Sequence, residues 1–226
     1  MALDTLAPFL LLPAFGFGIA AMRVVAGMRE ARAMGYRGIS PAPGLPPNTR
    51  GPLITMLVLP STTMLFGLVL GFLAVGKGPG YELVLLPLAT AFGLAGMGTA
   101  VAEGILFRGG SRQLAQNPIM FGRLITVAVN LEVNVIFALV TSFLVLSRLD
   151  GSGAALPLDT AEGLIAISRL IPFFGLVAIA QAFVILAQNS TGQKWFLGGI
   201  LRGAALQVIS VLLLIYQFLA LGAIPR

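Results

Sequence analysis

The sequence predicts an all-α membrane protein: six transmembrane helices forming three tandem helical hairpins that assemble into a ring. Three observations carry this expectation. Of 226 residues, 58% are hydrophobic and 10% charged, with a mean hydropathy of +0.98, whereas soluble domains carry about 25% charged residues. The apolar residues gather into stretches that each approach the roughly 20 residues a helix needs to cross hydrocarbon. One segment also recurs three times along the chain.

The first span covers residues 5–28. Met1–Asp4 lacks the basic stretch of a secretory signal and no small-residue cleavage site follows, so this span reads as a retained helix. The second, 52–76, is uncharged from Gly51 to Gly76, and the third, 83–107, from Leu83 to Ala102. The fourth covers 118–147, the fifth 163–193 and the sixth 195–224. Arg169 and Arg202 are expected near the starts of the last two, where their heads can snorkel to the interface. No alternation of ten-residue strands appears, which argues against a membrane barrel. The loop 35–50 holds Pro41, Pro43, Pro46 and Pro47 and reads as irregular surface chain. Residues 149–158 form a plain linker.

Charge placement sets the orientation. The loops after the first, third and fifth helices, with their helix ends, hold Arg23, Arg29, Arg32, Arg37, Arg50, Arg108, Arg112, Arg123, Lys194 and Arg202. Only Glu30 opposes them. The other side mixes Lys77, Arg148, Arg169 and Arg226 with Asp4, Glu82, Asp150, Asp159 and Glu162. By the positive-inside rule the hairpin loops are cytoplasmic and both termini outside, in a multi-pass protein of the cell membrane. The net charge of +6 is thus topological, and nucleic acid is not an expected partner. With no Cys and no His, thiolate metal sites, cysteine nucleophiles and the usual general base near neutral pH are excluded.

The repeat lies on the even helices: Leu59–Val69, Leu131–Val140 and Leu206–Ile215 align, placing Ser61, Glu132 and Gln207 at one equivalent position. Ten residues upstream stand Gly51 and Gly122, each beside an arginine. The odd helices share Phe-Gly pairs at Phe15-Gly16, Phe92-Gly93 and Phe174-Gly175. The hairpins are 1–78, 79–150 and 151–226, with a deep outer-helix carboxylate in the second alone.

Residues 91–145 resemble the proteolipid (c, or K) subunit of rotary ATPases. The stretches that carry the resemblance are Gly93–Gly104, Asn117–Arg123 and Leu131–Ala138. It is strong in the middle hairpin and weak in the third, and the first loop is longer than the family pattern. It implies a glycine-rich inner helix, a polar cytoplasmic loop and an outer helix bearing one mid-membrane carboxylate. Fused hairpins, some lacking the carboxylate, are typical of the V-type and A-type branch.

Of the eight acids, Glu103 and Glu132 lie within spans. A carboxylate at the bilayer centre costs a few kcal/mol and is not expected to persist without a task. Glu132 stands nine residues after Arg123 and sixteen before Arg148, well inside the hydrocarbon, and reads as the ion carrier. Glu103 is five residues before Arg108. Two readings stay open for it: a charge snorkelling at the helix end, or, by the resemblance, the inner-helix position that helps hold the ion. In sodium-type members, polar residues matching Thr62 and Thr63 contribute ligand oxygens; each hydroxyl can instead bond its own helix. Asn130 and Asn134 flank Glu132 and cannot both share its face, so one of them is expected at a helix contact. Gly16, Gly18, Gly93, Gly96 and Gly98 form a surface for close helix packing.

The resemblance implies a non-catalytic member of an ATP-driven rotary complex, with no cofactor and with Na+ or H+ as cargo. Its partners would be copies of itself in a ring, a stator membrane subunit and central-stalk subunits, with lipid around them. No glycine-rich loop with Lys-Ser/Thr exists for nucleotide. Glu132, Glu103, Thr62 and Thr63 form the expected ion site, with Glu132 and Glu103 as the metal ligands if the ion is sodium. The paired threonines favour sodium; Val133 and Phe66, which replace a frequent hydroxyl and tyrosine, count against it. Ser61 and Gln207 cannot titrate near neutral pH, which favours a pump over a synthase. The alternative is a small transporter or channel using the helical repeat as a scaffold.

Overall fold

The computed structural model describes residues 3–39, 48–77, 80–149, 156–187 and 195–224. Seven helices make up nearly all of them: α1 Leu3–Ala33, α2 Arg50–Val75, α3 Glu82–Gln116, α4 Met120–Ser147, α5 Leu158–Ser168, α6 Pro172–Ala187 and α7 Trp195–Ala223. Helices α5 and α6 are two halves of one span, so six helical spans are long and apolar enough to cross a membrane. The chain is an all-α membrane protein. The four prolines of the first loop, most of the 149–158 linker, and Lys194 fall outside the described residues.

Helix ends depart from the apolar limits. Helix α3 continues past residue 107 through Arg108 and Arg112, because Leu106, Phe107 and Leu114 remain buried there and hydrogen bonding does not stop where hydrocarbon does. Helix α1 likewise runs on to Ala33, which brings Glu30 against α3. The fifth span begins at Leu158 rather than 163, with Asp159 in its first turn, where the helix dipole favours an acid. It then breaks before Pro172, which has no N–H to donate. The chain crosses the break on three-residue bonds, Leu170 N–H to Ile167 O at 3.0 Å and Ile171 N–H to Ser168 O at 3.1 Å. Arg169 therefore stands exposed at the break, roughly 16 Å along the span at about 1.5 Å per residue. It is not near the start, and the simple snorkelling expectation is corrected.

The inner helices α1, α3 and α5–α6 pack with α3 in the middle, and α3 is the most buried of the spans. Glycines make this possible. A Cβ on Gly16 would fall 2.6 Å from Met97 Cα, one on Gly104 2.7 Å from Ala20 Cα, and one on Gly98 2.8 Å from Gly175 Cα. Backbone meets backbone on both sides of α3, the close approach that small residues permit in lipid. Gly18 faces open space and takes no part within the chain.

The repeat register also shifts in three dimensions. Phe15 is 64% exposed, and it is Phe9, fully buried, that packs on Phe92 with ring centroids 6.2 Å apart. Gly175 lies against Ala95 and Gly98 rather than opposite Gly93. The Phe-Gly pairs share a sequence pattern but not a depth.

The close approach can be tested by adding one methyl group. Gly98→Ala is expected to cost about 1–3 kcal/mol, the usual penalty of overpacking, because the facing atoms are backbone. Gly122→Ala, which meets nothing within 4 Å, is the control and should be neutral. Thermal unfolding in detergent measures both; equal melting temperatures would disprove the packing argument.

Candidate functional site

Pro60 lies inside α2 and withdraws one N–H from its hydrogen-bond ladder. The three residues that follow are all hydroxylic and turn back onto their own helix. Ser61 donates to Val58 O at 2.6 Å, Thr62 to Leu59 O at 2.8 Å and Thr63 to Pro60 O at 2.9 Å. Of these, only Thr62 also reaches another helix: its Oγ1 lies 2.6 Å from Glu132 Oε1 on α4. One hydroxyl proton cannot serve both neighbours. If it goes to the carboxyl, Glu132 accepts as a carboxylate; if it goes to Leu59 O, a protonated Glu132 can donate to the hydroxyl. The pair thus accommodates both states of the acid.

Glu103 sits on α3, fully buried, and neither carboxyl oxygen has a hydrogen-bond partner. The reading of Glu103 as a charge snorkelling at a helix end is overturned: α3 continues beyond it and surrounding helices enclose it. The charge it feels is that of Glu132. An acid so placed has nothing in the chain to offset a bare negative charge, and such a charge is very costly in a low-dielectric setting.

Thr63 is buried beside Gly96 of α3, whose added Cβ would lie 3.6 Å from Thr63 Cβ. Gly96 is about two helical turns from Glu103, and the Thr63 hydroxyl is bonded to its own backbone. The structure brings Thr62 to Glu132, places Glu103 within reach of the Glu132 charge, and sets Thr63 apart from the bonded pair. Among the described residues no group of three acidic, histidine or cysteine side chains gathers to hold a metal ion.

A second polar cluster lies one interface further on. Asn134 of α4 donates to Gln181 Oε1 at 2.7 Å and to Leu131 O at 3.0 Å. Gln181 of α6 donates to Gly203 O at 2.8 Å and to Gln207 Oε1 at 2.7 Å. Gln207 of α7 reaches Asn134 Oδ1 at 3.4 Å, and Ser210 donates to the same oxygen at 2.7 Å. Asn134 is the expected helix-contact residue; Asn130 lies beside Gly203 instead. Gln181 and Ser210 escaped the sequence reading, although Gln181 is the one polar side chain in α6.

At the hairpin-loop end, Glu30 accepts from Arg108 at 3.0 Å and from Arg112 at 3.1 Å. The lone acid of that charge group is therefore clamped between two of its arginines.

Residues 88–145 match the family model of the ATP synthase c-type rotor proteolipid. That segment spans most of α3 and α4 and contains Glu103 and Glu132. No curated protein matches the chain. The match supports a proteolipid of a rotary ATPase, and six long apolar helices fit its fused-hairpin form.

The Thr62 bond predicts an asymmetry between the two threonines. Thr62→Val should cost about 0.6 kcal/mol, the average for a hydrogen bond between membrane helices, while Thr63→Val, whose hydroxyl joins no other helix, should cost less. Unfolding of each variant in detergent measures this, and equal losses would show that the bond to Glu132 contributes nothing.

Proposed function

We propose that this chain, whose middle hairpin matches the ATP synthase proteolipid family, is the membrane rotor-ring (c/K) subunit of a V/A-type ion-translocating ATPase, and that it carries Na+ or H+ on Glu132. It is not itself the enzyme; nucleotide chemistry belongs to its partners in the complex. The observation that carries this reading is the acid pair deep in the spans. Glu132 is half-buried with one hydroxyl partner, and Glu103 is fully buried with none. A pair of acids with so few donors needs a proton or a cation to stay in hydrocarbon.

The mechanism follows from that cost. Glu132 takes an ion from one half-channel of the stator, is neutralised, and turns through lipid with the ring before release into the other. A bare carboxylate cannot make that journey, so ion occupancy gates rotation. Thr62 supports either cargo, offering a ligand oxygen to sodium or a bond to the protonated acid. Two acids around one sodium leave a net negative charge unless Glu103 keeps a proton, whereas a proton shared between them balances directly. The hydroxyl oxygen beside Glu132 inclines the reading to sodium, a hard cation that gives up water only for replacement oxygens.

One carboxylate on the outer helices serves three hairpins, since Ser61 and Gln207 occupy the equivalent positions. Fewer ions pass per turn than with one acid per hairpin, so each ATP works against fewer ions and sustains a steeper gradient. This favours a pump. The basic hairpin-loop end would face the cytoplasm of a cell membrane and meet the central stalk, with both termini outside.

Two experiments test the reading. Glu132→Gln should assemble into the ring yet abolish ion transport and ion-coupled ATPase turnover; normal coupled turnover would rule the proposal out. Carbodiimide labelling of Glu132 at fixed pH should be protected by millimolar sodium if the cargo is sodium. Labelling that follows pH alone would identify a proton rotor.

A further inference from the structure

The two polar clusters occupy corresponding places. Glu132 and Gln207 are aligned by the outer-helix repeat. On the inner helices, Gly175 packs between the positions of Ala95 and Gly98. Counting the same number of residues down each helix puts Gln181 level with Glu103. Both interfaces are therefore built from an outer helix, an inner helix and the next outer helix, with the polar groups at one depth. In the first interface the inner and outer positions are both acids. In the second both are carboxamides.

The difference in bonding follows from that exchange. In the second interface Gln181 Nε2 supplies the hydrogens that satisfy Gln207 Oε1 and Gly203 O, at 2.7 and 2.8 Å. Asn134 and Ser210 complete the set at 2.7 Å each. In the first interface Glu103 has no N–H to give, and its own oxygens are unpartnered. What the amide hydrogens do in one place must be done in the other by something from outside the chain.

We infer that Asn134, Gln181, Gln207 and Ser210 form a second copy of the cation site, held closed and neutral by its own amide hydrogens, and able to take a monovalent cation or proton once the amides become acids. This rests on the rotor reading above only for the identity of the ion. The third position has no such cluster within the chain: α1 presents Ala20 against Gly104, level with the acid on α3.

The test uses the assembled full-length chain and labels it with a carbodiimide, mapping each label by peptide mass. In an E132Q background, where position 132 cannot react, Q207E is expected to restore about one label per chain, at position 207, and the coupling ion should protect it. Should Q207E alone not assemble, the pair Q181E/Q207E replaces it, reproducing the acids of the first interface. An assembled variant unlabelled at position 207, labelling indifferent to the coupling ion, or failure of both variants to assemble overturns the inference. Failure of the rotor reading would be seen separately, in the parent chain, as absence of ion-protected labelling at Glu132.

Discussion

A carboxyl group buried in hydrocarbon must find hydrogens or a cation, and everything distinctive about this chain turns on where they come from. Glu103 is enclosed on every side and meets no donor. Its enclosure depends on α3 running between α1 and α6, which depends in turn on glycines that bring backbones into contact. Larger residues there would push the helices apart and admit lipid or water to the acid. The same packing that stabilises the bundle thus isolates the group that destabilises it. Isolation converts a costly residue into one that responds to ions.

Much of this was legible in the amino-acid sequence, for identifiable reasons. Six apolar stretches announce six spans because hydrocarbon tolerates little else. Glu132 stood out because an acid is conspicuous among leucines and valines. The helix ends were less legible: an apolar stretch reports the thickness of hydrocarbon, while α1 and α3 extend beyond it and meet through Glu30 and its two arginines. The break at Pro172 was written in the sequence yet hidden by the unbroken hydropathy on both sides.

The repeat misled where it was weakest. Phe15-Gly16 mimics Phe92-Gly93 in letters, but packing selects Phe9 for the buried ring. Gln181 was overlooked because one amide in an apolar helix says nothing of its partners, which come from three other stretches of chain. Thr62 and Thr63 were indistinguishable by type; only the direction each faces around α2 separates the residue that touches Glu132 from the one that does not. Long-range geometry decides such cases, and composition does not carry it.

The amide cluster between α4, α6 and α7 has a consequence that lies in the genetic code. Glutamine and glutamate codons differ at their first base, so the closed interface and an acidic one are neighbours in mutational space at Gln181 and at Gln207 alike. A lineage bearing this fold holds a reserve gear. It can exchange load against throughput by point mutation, with the helices, their order and their glycine contacts left as they stand.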